Sequence, residues 1–290
     1  MTRTVLITGA TGTVSTALMG RLQGADADLR ALVRDPAKAD AARAAGAEVV
    51  AGDLGRPDTL GPAMEGVQDV WLLVPNGPRA PEHSMNALWA ARRAGAERVV
   101  RLSAVGAAHD APTRSGRLHA LSDAETQASG LEWTVLRPMW FMDNLLGEAA
   151  EVRASGGFGM DMGQGRLGMV AAEDVAGCAA RVLADPPGVH AGRTYTLTGP
   201  ESLSLAEAAE RMGQALGRPV AYRPVSPADK RAALLAVGAD EWIADMVGEY
   251  SAAFARGWGD FTTRDAERLL GRAPQGVADF ARAHAAAFTG

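Results

Sequence analysis

Thr4-Val5-Leu6-Ile7-Thr8-Gly9-Ala10-Thr11-Gly12-Thr13-Val14-Ser15 stands near the start of the chain and decides how the rest is read. An apolar run leads at once into a glycine turn. The turn leads into the amphipathic stretch Ala17-Leu18-Met19-Gly20-Arg21-Leu22. That order is strand, turn, helix. It aims bare backbone N–H groups and the positive end of a helix at one spot. Gly9 allows the tight turn, and Gly12 lets the backbone come close to a bound anion. The third small position, where helix packs on strand, is Ser15 rather than Gly or Ala. With a strand before it and a helix after it, such a turn suits a pyrophosphate. Gly9, Ala10, Thr11, Gly12, Thr13 and Val14 would surround it. The bland alternative is an ordinary strand–helix turn.

The rhythm continues downstream. Strand patterns at 28–33, 48–51, 70–74, 98–102 and 133–136 alternate with helix patterns at 36–46, 57–66, 81–95 and 115–130. Pro opens and Gly closes several of the helices. Strands that alternate with helices pair in parallel, so the expected fold is α/β, a doubly wound parallel Rossmann sheet. Ligands bind such sheets off the carboxyl ends of the strands. After Pro138 the rhythm changes. Gly156-Gly157-Phe158-Gly159 and Gly163-Gln164-Gly165 read as a glycine-rich loop region, 173–183 as a helix and 193–197 as a strand returning to the sheet. From Leu203 on the pattern is mainly helical, with one short strand candidate at 219–222. The expected organisation is a core over 1–138, joined by 171–197, and a smaller, mainly helical C-terminal substrate lobe from 139–170 and 198–290.

Bulk properties narrow the function. The 290 residues are 47% hydrophobic and 22% charged, an ordinary globular balance. A formal net charge of -5, with no Lys/Arg cluster among aromatics, argues against nucleic acid as a partner. No apolar run is long enough to span a bilayer, so no membrane partner is expected. The first strand begins close to Met1 and leaves no room for a signal peptide. The one cysteine, Cys178, excludes an intrachain disulfide and is expected to be a small buried apolar residue. The five histidines show no ligand spacing, so no metal is expected. A cytoplasmic location follows from these expectations.

The cofactor type is read after the second strand, in Ala31-Leu32-Val33-Arg34-Asp35-Pro36-Ala37-Lys38. An acid there accepts from the ribose 2′-hydroxyl of NAD, whereas a base pairs with the 2′-phosphate of NADP. Arg34 comes first and Lys38 lies one helical turn on, so two cations converge on a phosphate, which favours NADP(H). Asp35, just before Pro36, has a second use as a helix N-cap. Solvated surface charge is the alternative for Arg34 and Lys38. Asp53 and Leu54 end the third strand beside the adenine, and for Asp53 a helix cap is a real rival. Val74, Pro75 and Asn76 end the fourth strand and are expected to lie under the middle of the cofactor. Ser103 and Pro138, after the fifth and sixth strands, complete the cofactor set.

These segments, together with Val50-Ala51-Gly52-Asp53-Leu54, Ser129-Gly130-Leu131-Glu132-Trp133-Thr134-Val135-Leu136-Arg137-Pro138, Phe141-Met142-Asp143-Asn144 and Tyr195-Thr196-Leu197-Thr198-Gly199-Pro200, resemble the NmrA-like, atypical short-chain dehydrogenase/reductase family. That family includes NADPH-dependent quinone oxidoreductases. The resemblance spans nearly the whole chain, and residues 129–144 are its specific part. It implies an extended Rossmann domain, a small C-terminal lobe and a substrate cleft between them. It also implies two kinds of member, true reductases and dinucleotide-binding regulators.

Most short-chain dehydrogenases use a Tyr proton donor with a Lys four residues later. Here the three tyrosines, Tyr195, Tyr222 and Tyr250, are followed at that spacing by Gly199, Ser226 and Phe254. The pair is absent. The nicotinamide carries the hydride chemistry itself, and quinones accept a proton from water or a weak donor. The catalytic candidates are therefore Ser103, whose hydroxyl would bond a substrate carbonyl, and His119 with Asp123. The latter two are four apart on one helix face. His119, near neutral pKa, would donate a proton or serve as a ribose and carbonyl ligand, and Asp123 would fix its tautomer. In the resembling proteins a His with an acid four residues later sits here. A helix-surface pair supporting the sheet is the alternative. Arg137 is a backbone ligand near the cleft floor or a structural ion pair. His83 and His109 are read as loop or surface residues, and Glu125 as solvent-facing.

Asn76, Trp140, Phe141 and Met142 are the substrate-binding candidates, a bulky, soft wall suited to a flat aromatic or quinone-like molecule. Core under the lobe is the alternative for residues 139–142. Trp242, Met246, Tyr250 and Phe254 recur at helical spacing, which is more often packing than pocket. The expected function is an NADPH-dependent reductase of a quinone or other conjugated carbonyl. The rivals are a non-catalytic NADP(H)-binding redox sensor and a natural-product ketone or imine reductase, or isomerase, on the same fold. The expected partner is a small-molecule substrate, with a homodimer as the assembly to test for.

Overall fold

The computed structural model describes residues 2–290. In chain order the elements begin β1 (Arg3–Ile7), α1 (Thr13–Leu22), β2 (Ala27–Val33), α2 (Asp40–Ala44), β3 (Glu48–Ala51), α3 (Leu60–Met64) and β4 (Asp69–Leu72). Then come α4 (Ala80–Ala94), β5 (Arg98–Leu102), α5 (Arg114–Ala128), β6 (Glu132–Pro138), α6 (Ala149–Ser155), β7 (Gly157–Met160), β8 (Arg166–Leu167) and α7 (Ala172–Ala184). The chain closes with β9 (Arg193–Leu197), β10 (Leu203–Ser204), α8 (Leu205–Leu216), β11 (Ala221–Pro224), α9 (Pro227–Ala236), α10 (Glu241–Ala255), α11 (Asp265–Leu270), α12 (Val277–Ala283) and α13 (Ala285–Thr289).

Two compact units divide the chain. The first comprises 2–110, 116–137 and 175–195, and the second 111–115, 138–174 and 196–290. A seven-stranded sheet in the order β3-β2-β1-β4-β5-β6-β9 is the main architectural element. Every pairing from β3 to β6 is parallel. The order reverses between β1 and β4, the topological switch point where ligands of this fold bind. β4 and β5 are buried along their whole length, as strands of a covered parallel sheet must be. Leu6, Leu60, Met64, Val70, Leu72 and Val99 belong to one hydrophobic core cluster of the first unit.

The strand ends opposite the switch point hold a buried ion network. Asp69 accepts from both nitrogens of the Arg98 fork, at 3.0 and 2.9 Å, and from two nitrogens of Arg3, both at 2.8 Å. Arg98 also donates to the carbonyls of Val182, Leu183 and Asp185 at the end of α7. Burial works against the Asp69 charge, yet the two guanidiniums hold its carboxyl below the usual carboxylate range.

Several elements differ from the sequence expectation. The 36–46 helix is a 3-10 turn, Pro36–Lys38, followed by the short α2. Asp35 caps that turn by accepting from the Ala37 N–H at 3.0 Å. The 57–66 helix splits in the same way, into Pro57–Thr59 and α3. The glycine-rich stretch 156–159 is not loop. It contains β7, which pairs in parallel with β11. A Cβ on Gly157 would stand 2.4 Å from the Ala221 carbonyl oxygen, so glycine is there for close strand approach. β11 itself lies two residues later than the expected 219–222. Cys178 is fully buried and carries no disulfide. Among the described residues no helix is long and apolar enough to cross a membrane.

Candidate functional site

The glycine turn lies at the switch point. The Thr8 hydroxyl, just past β1, donates to the Leu73 carbonyl and accepts the Leu73 N–H, both at 2.8 Å. It thereby stitches the ends of β1 and β4 together. Gly9 has φ +58°, and a Cβ there would stand 2.7 Å from the Leu73 side chain. Left-handed backbone and close approach both demand glycine. Gly12 is the N-cap of α1, without a side-chain cap and with no acid in the first turn. The first-turn amides, at Thr13, Val14 and Ser15, therefore have no intrahelical acceptor and keep their positive field. Thr11, Gly12 and Thr13 are exposed, while Ala10 and the Val14 side chain are buried. This cradle fits a pyrophosphate.

Ser15 has a structural reason. It is fully buried, its hydroxyl donates to the Thr8 carbonyl at 3.0 Å, and it accepts from the Trp71 indole N–H at 2.9 Å. A glycine or alanine would leave that indole donor unpaired.

At the adenosine end, Arg34 and Lys38 are exposed, and neither forms an ion pair among the described residues. Asp53 is half-buried, and its carboxylate closes a turn by accepting the Gly55 N–H at 2.8 Å. It is not a helix cap, since Arg56 holds the N-cap position of the next turn. The Leu54 reading needs correction. Its side chain belongs to the core, and its carbonyl accepts from the Asn86 amide at 2.8 Å. Val74 is likewise buried in that core, while Pro75 and Asn76 are exposed on the loop after β4.

The carboxyl ends of β5 and β6 carry a buried polar cluster. Asp123 accepts from Arg101 Nε at 2.8 Å, from the Ser103 hydroxyl at 2.9 Å and from Arg137 Nη2 at 2.8 Å. Arg101, Ser103 and Asp123 are each at most 4% exposed. Arg137 is thus an ion-pair partner. The Ser103 hydroxyl spends its one proton on Asp123 and has none to offer a substrate carbonyl.

Asp123 does not orient His119. His119 Nδ1 faces Arg101 Nη2 at 3.2 Å, and Nε2 faces the Asn76 side-chain oxygen at 3.3 Å. Desolvation first, then the charges of Arg101 and Arg137, pull the His119 imidazole down to about 3. The ring is half-buried, with its Nε2 end exposed and its Nδ1 end partly covered. The expected proton donor of near-neutral pKa is therefore a neutral ring. Arg101 escaped the sequence reading. Its signal was a charge inside the otherwise apolar strand Arg98-Val99-Val100-Arg101-Leu102. His83 lies on α4 rather than in a loop, and His109 and Glu125 are exposed.

In the second unit, Trp140 and Phe141 are half-buried and bridge to Val170. Met142 is 1% exposed, its methyl 3.3 Å from where a Gly199 Cβ would stand. Met142 is core, and its place in a substrate wall is withdrawn. Pro138 is buried at the end of β6. Tyr250 stacks on Phe254, with ring centroids 5.8 Å apart, and Trp258 packs on both. Of that stripe only Phe254 is buried, while Trp242, Met246 and Tyr250 are half-buried. Burial pushes the Tyr250 phenol up, against hydrogen bonds from Ser115 and Thr113.

The chain matches the NAD(P)H-binding family model over residues 9–186. It is 36% identical over 284 residues to an NAD(P)H azoreductase of Xenophilus azovorans, covering 98% of this chain and 99% of that one. Among solved structures it is similar to the NADPH-dependent quinone oxidoreductase QOR2 of Escherichia coli, complexed with NADPH. There the TM-score is 0.85 at 28% identity, covering 96% and 98% of the two chains. It also shares the fold of NmrA, a negative transcriptional regulator solved with NAD. That likeness, at TM-score 0.76 and 15% identity over 97% and 95% of the chains, is one of fold alone.

Proposed function

Since the chain belongs to the NAD(P)H-binding family, in its NmrA-like, atypical short-chain dehydrogenase/reductase branch, we propose that it is an NADPH-dependent reductase of quinones and similar conjugated acceptors. One observation carries the reading. An uncapped pyrophosphate cradle precedes strand ends whose one histidine is neutral and which hold no Tyr–Lys pair. Such a site suits acceptors that need no strong acid. When bound, NADPH supplies a hydride, that is, two electrons and one proton. The amides of α1 and the turn hold the pyrophosphate, and Arg34 with Lys38 holds the 2′-phosphate. In the first unit, His119 offers a hydrogen bond to a carbonyl-type oxygen, beside Asn76 on the loop after β4.

The azoreductase relative supports an electron-poor, conjugated acceptor. A cytoplasmic location suits a reductase with one buried cysteine and no disulfide. The test is NADPH oxidation by the purified protein with a panel of quinones, azo compounds and aromatic ketones. Quinones should accelerate it most. If no acceptor accelerates oxidation while NADPH still binds, the reductase reading gives way to cofactor sensing.

A further inference from the structure

We propose that His119 works as a neutral Nε2–H hydrogen-bond donor to the acceptor's oxygen, and that Arg101 is the positioning residue that fixes this tautomer. The ligand in this inference rests on the reductase reading above. The tautomer rests on the first unit's own atoms.

A guanidinium has donors only. Arg101 Nη2 stands 3.2 Å from His119 Nδ1, so Nδ1 must present its lone pair and the ring proton must sit on Nε2. The far side of the ring agrees, because Nε2 faces the Asn76 Oδ1 acceptor at 3.3 Å. Arg101 cannot turn away. Its Nε is held by Asp123 at 2.8 Å and its Nη1 donates to the Leu102 carbonyl at 3.2 Å. Asp123 is held in turn by Ser103 and Arg137. The charged groups around the ring are Arg101 from β5, Arg137 from β6 and Asp123 on α5. Asn76, from the loop after β4, is neutral. Two cations against one carboxylate leave a positive surplus, which opposes a second proton on the imidazole. A ring that burial and two arginines keep neutral down to about 3 agrees with this geometry.

The Asn76 bond lies at the solvent-facing end of the ring and is long. An incoming oxygen can take its place. On reduction the quinone gains a hydride from NADPH, which leaves as NADP⁺. The negative charge collects on the quinone's oxygen, where Nε2–H holds it until water supplies the second proton. Neutral histidines serve in this way at other electrophilic sites. No protein acid dissociates in the step.

The experiment is long-range proton–nitrogen NMR on protein labelled at histidine, with the His119 signal assigned by its loss in His119→Asn. The parent should show a neutral, Nε2-protonated ring throughout roughly pH 5 to 8, and a quinone rate with no inflection near the ordinary histidine value. In Arg101→Met the Nδ1 constraint is gone, while Asp123 keeps Arg137 and Ser103. Its ring should show mixed tautomers and titrate closer to about 6.5, and the quinone rate should gain that inflection. NADPH affinity should change by less than about threefold. Asp123→Asn should keep the Nε2–H tautomer, because the amide oxygen can still accept from Arg101 Nε and residue 123 does not itself hold the ring. A parent ring that titrates between about pH 6 and 7, or carries its proton on Nδ1, overturns the inference. So does an Arg101→Met ring identical to the parent's. If Arg101→Met does not fold, the parent spectrum and Arg101→Lys, which keeps the charge but loses the fork, decide it. If the acceptor panel fails entirely, the reductase reading falls, and the spectra still decide the tautomer.

Discussion

Arg34→Ala should weaken NADPH binding and leave NADH binding nearly unchanged. Arg34 is exposed and has no ion pair among the described residues, so its removal breaks no salt bridge of the protein. The loss is that of one charge-assisted contact to a phosphate in high dielectric, about 1–2 kcal/mol, or roughly 5- to 30-fold in Kd. Lys38, a strongly hydrated point charge, should add about 0.5 kcal/mol, and the double variant should lose about the sum. Asp35 gives a control of opposite sign. Its carboxylate, next in sequence to Arg34, is tied to the Ala37 N–H. Asp35→Asn keeps a capping oxygen, removes a repelling charge and should tighten NADPH binding by about twofold. Calorimetric titration of both nucleotides against each variant measures all of this. Equal loss for NADH and NADPH in Arg34→Ala, or loss for neither, would refute the assignment of Arg34 to the 2′-phosphate.

Other consequences follow from the same geometry. Gly12→Val should abolish dinucleotide binding in a folded protein, since Gly12 has an ordinary φ of -86° and its Cβ would only press on the Gly9 carbonyl at 3.3 Å. Tight binding by Gly12→Val would remove the turn from the cofactor site. Ser15→Ala, which matches the usual glycine-turn pattern better, should nevertheless cost about 1–3 kcal/mol in urea unfolding, because it strands the buried Trp71 N–H. Arg98→Met should cost about 3–5 kcal/mol, for it leaves buried Asp69 with Arg3 alone and uncaps the end of α7. A loss below about 1 kcal/mol would show that Arg3 suffices. Stability should also fall with acid. The native His119 ring, at about 3 against an ordinary 6.5, refuses a proton that the unfolded chain binds, so its contribution is complete above 6.5 and drains away toward 3. The slope in that window is at most about 1.4 kcal/mol per pH unit. Asp69, depressed in the fold, adds its loss at lower pH still. A stability profile flat from about pH 6.5 to 5, or an unchanged slope in His119→Gln, would contradict the buried neutral ring.

Local pattern carried the sheet and the phosphate turn. A five-residue apolar strand, a glycine turn and an amphipathic helix have few other uses, and β3, β5 and β9 lie where periodicity put them. Short-range chemistry also made Asp35 a cap, because a carboxylate before Pro36 meets an N–H two residues on. The failures share one cause. Leu54 and Met142 follow strands, as site residues do, but sequence position does not say which way a side chain points. The glycines of β7 looked like loop, since the strand that presses on them, β11, comes some 60 residues later.

The polar cluster shows the division most clearly. The i, i+4 spacing put His119 and Asp123 on one helix face, and to that extent the sequence determined the site by itself. Which partner each took was decided only by tertiary structure. Arg101, Ser103 and Arg137 reach Asp123 from two neighbouring strands, at distances that α5 alone does not define. Once Asp123 neutralises one of the two arginines, the ring meets a guanidinium instead of a carboxylate, and its proton moves to the other nitrogen. Spacing along a helix fixes which residues are neighbours. Burial and the charges brought in by other strands fix their protonation, and no local pattern encodes either.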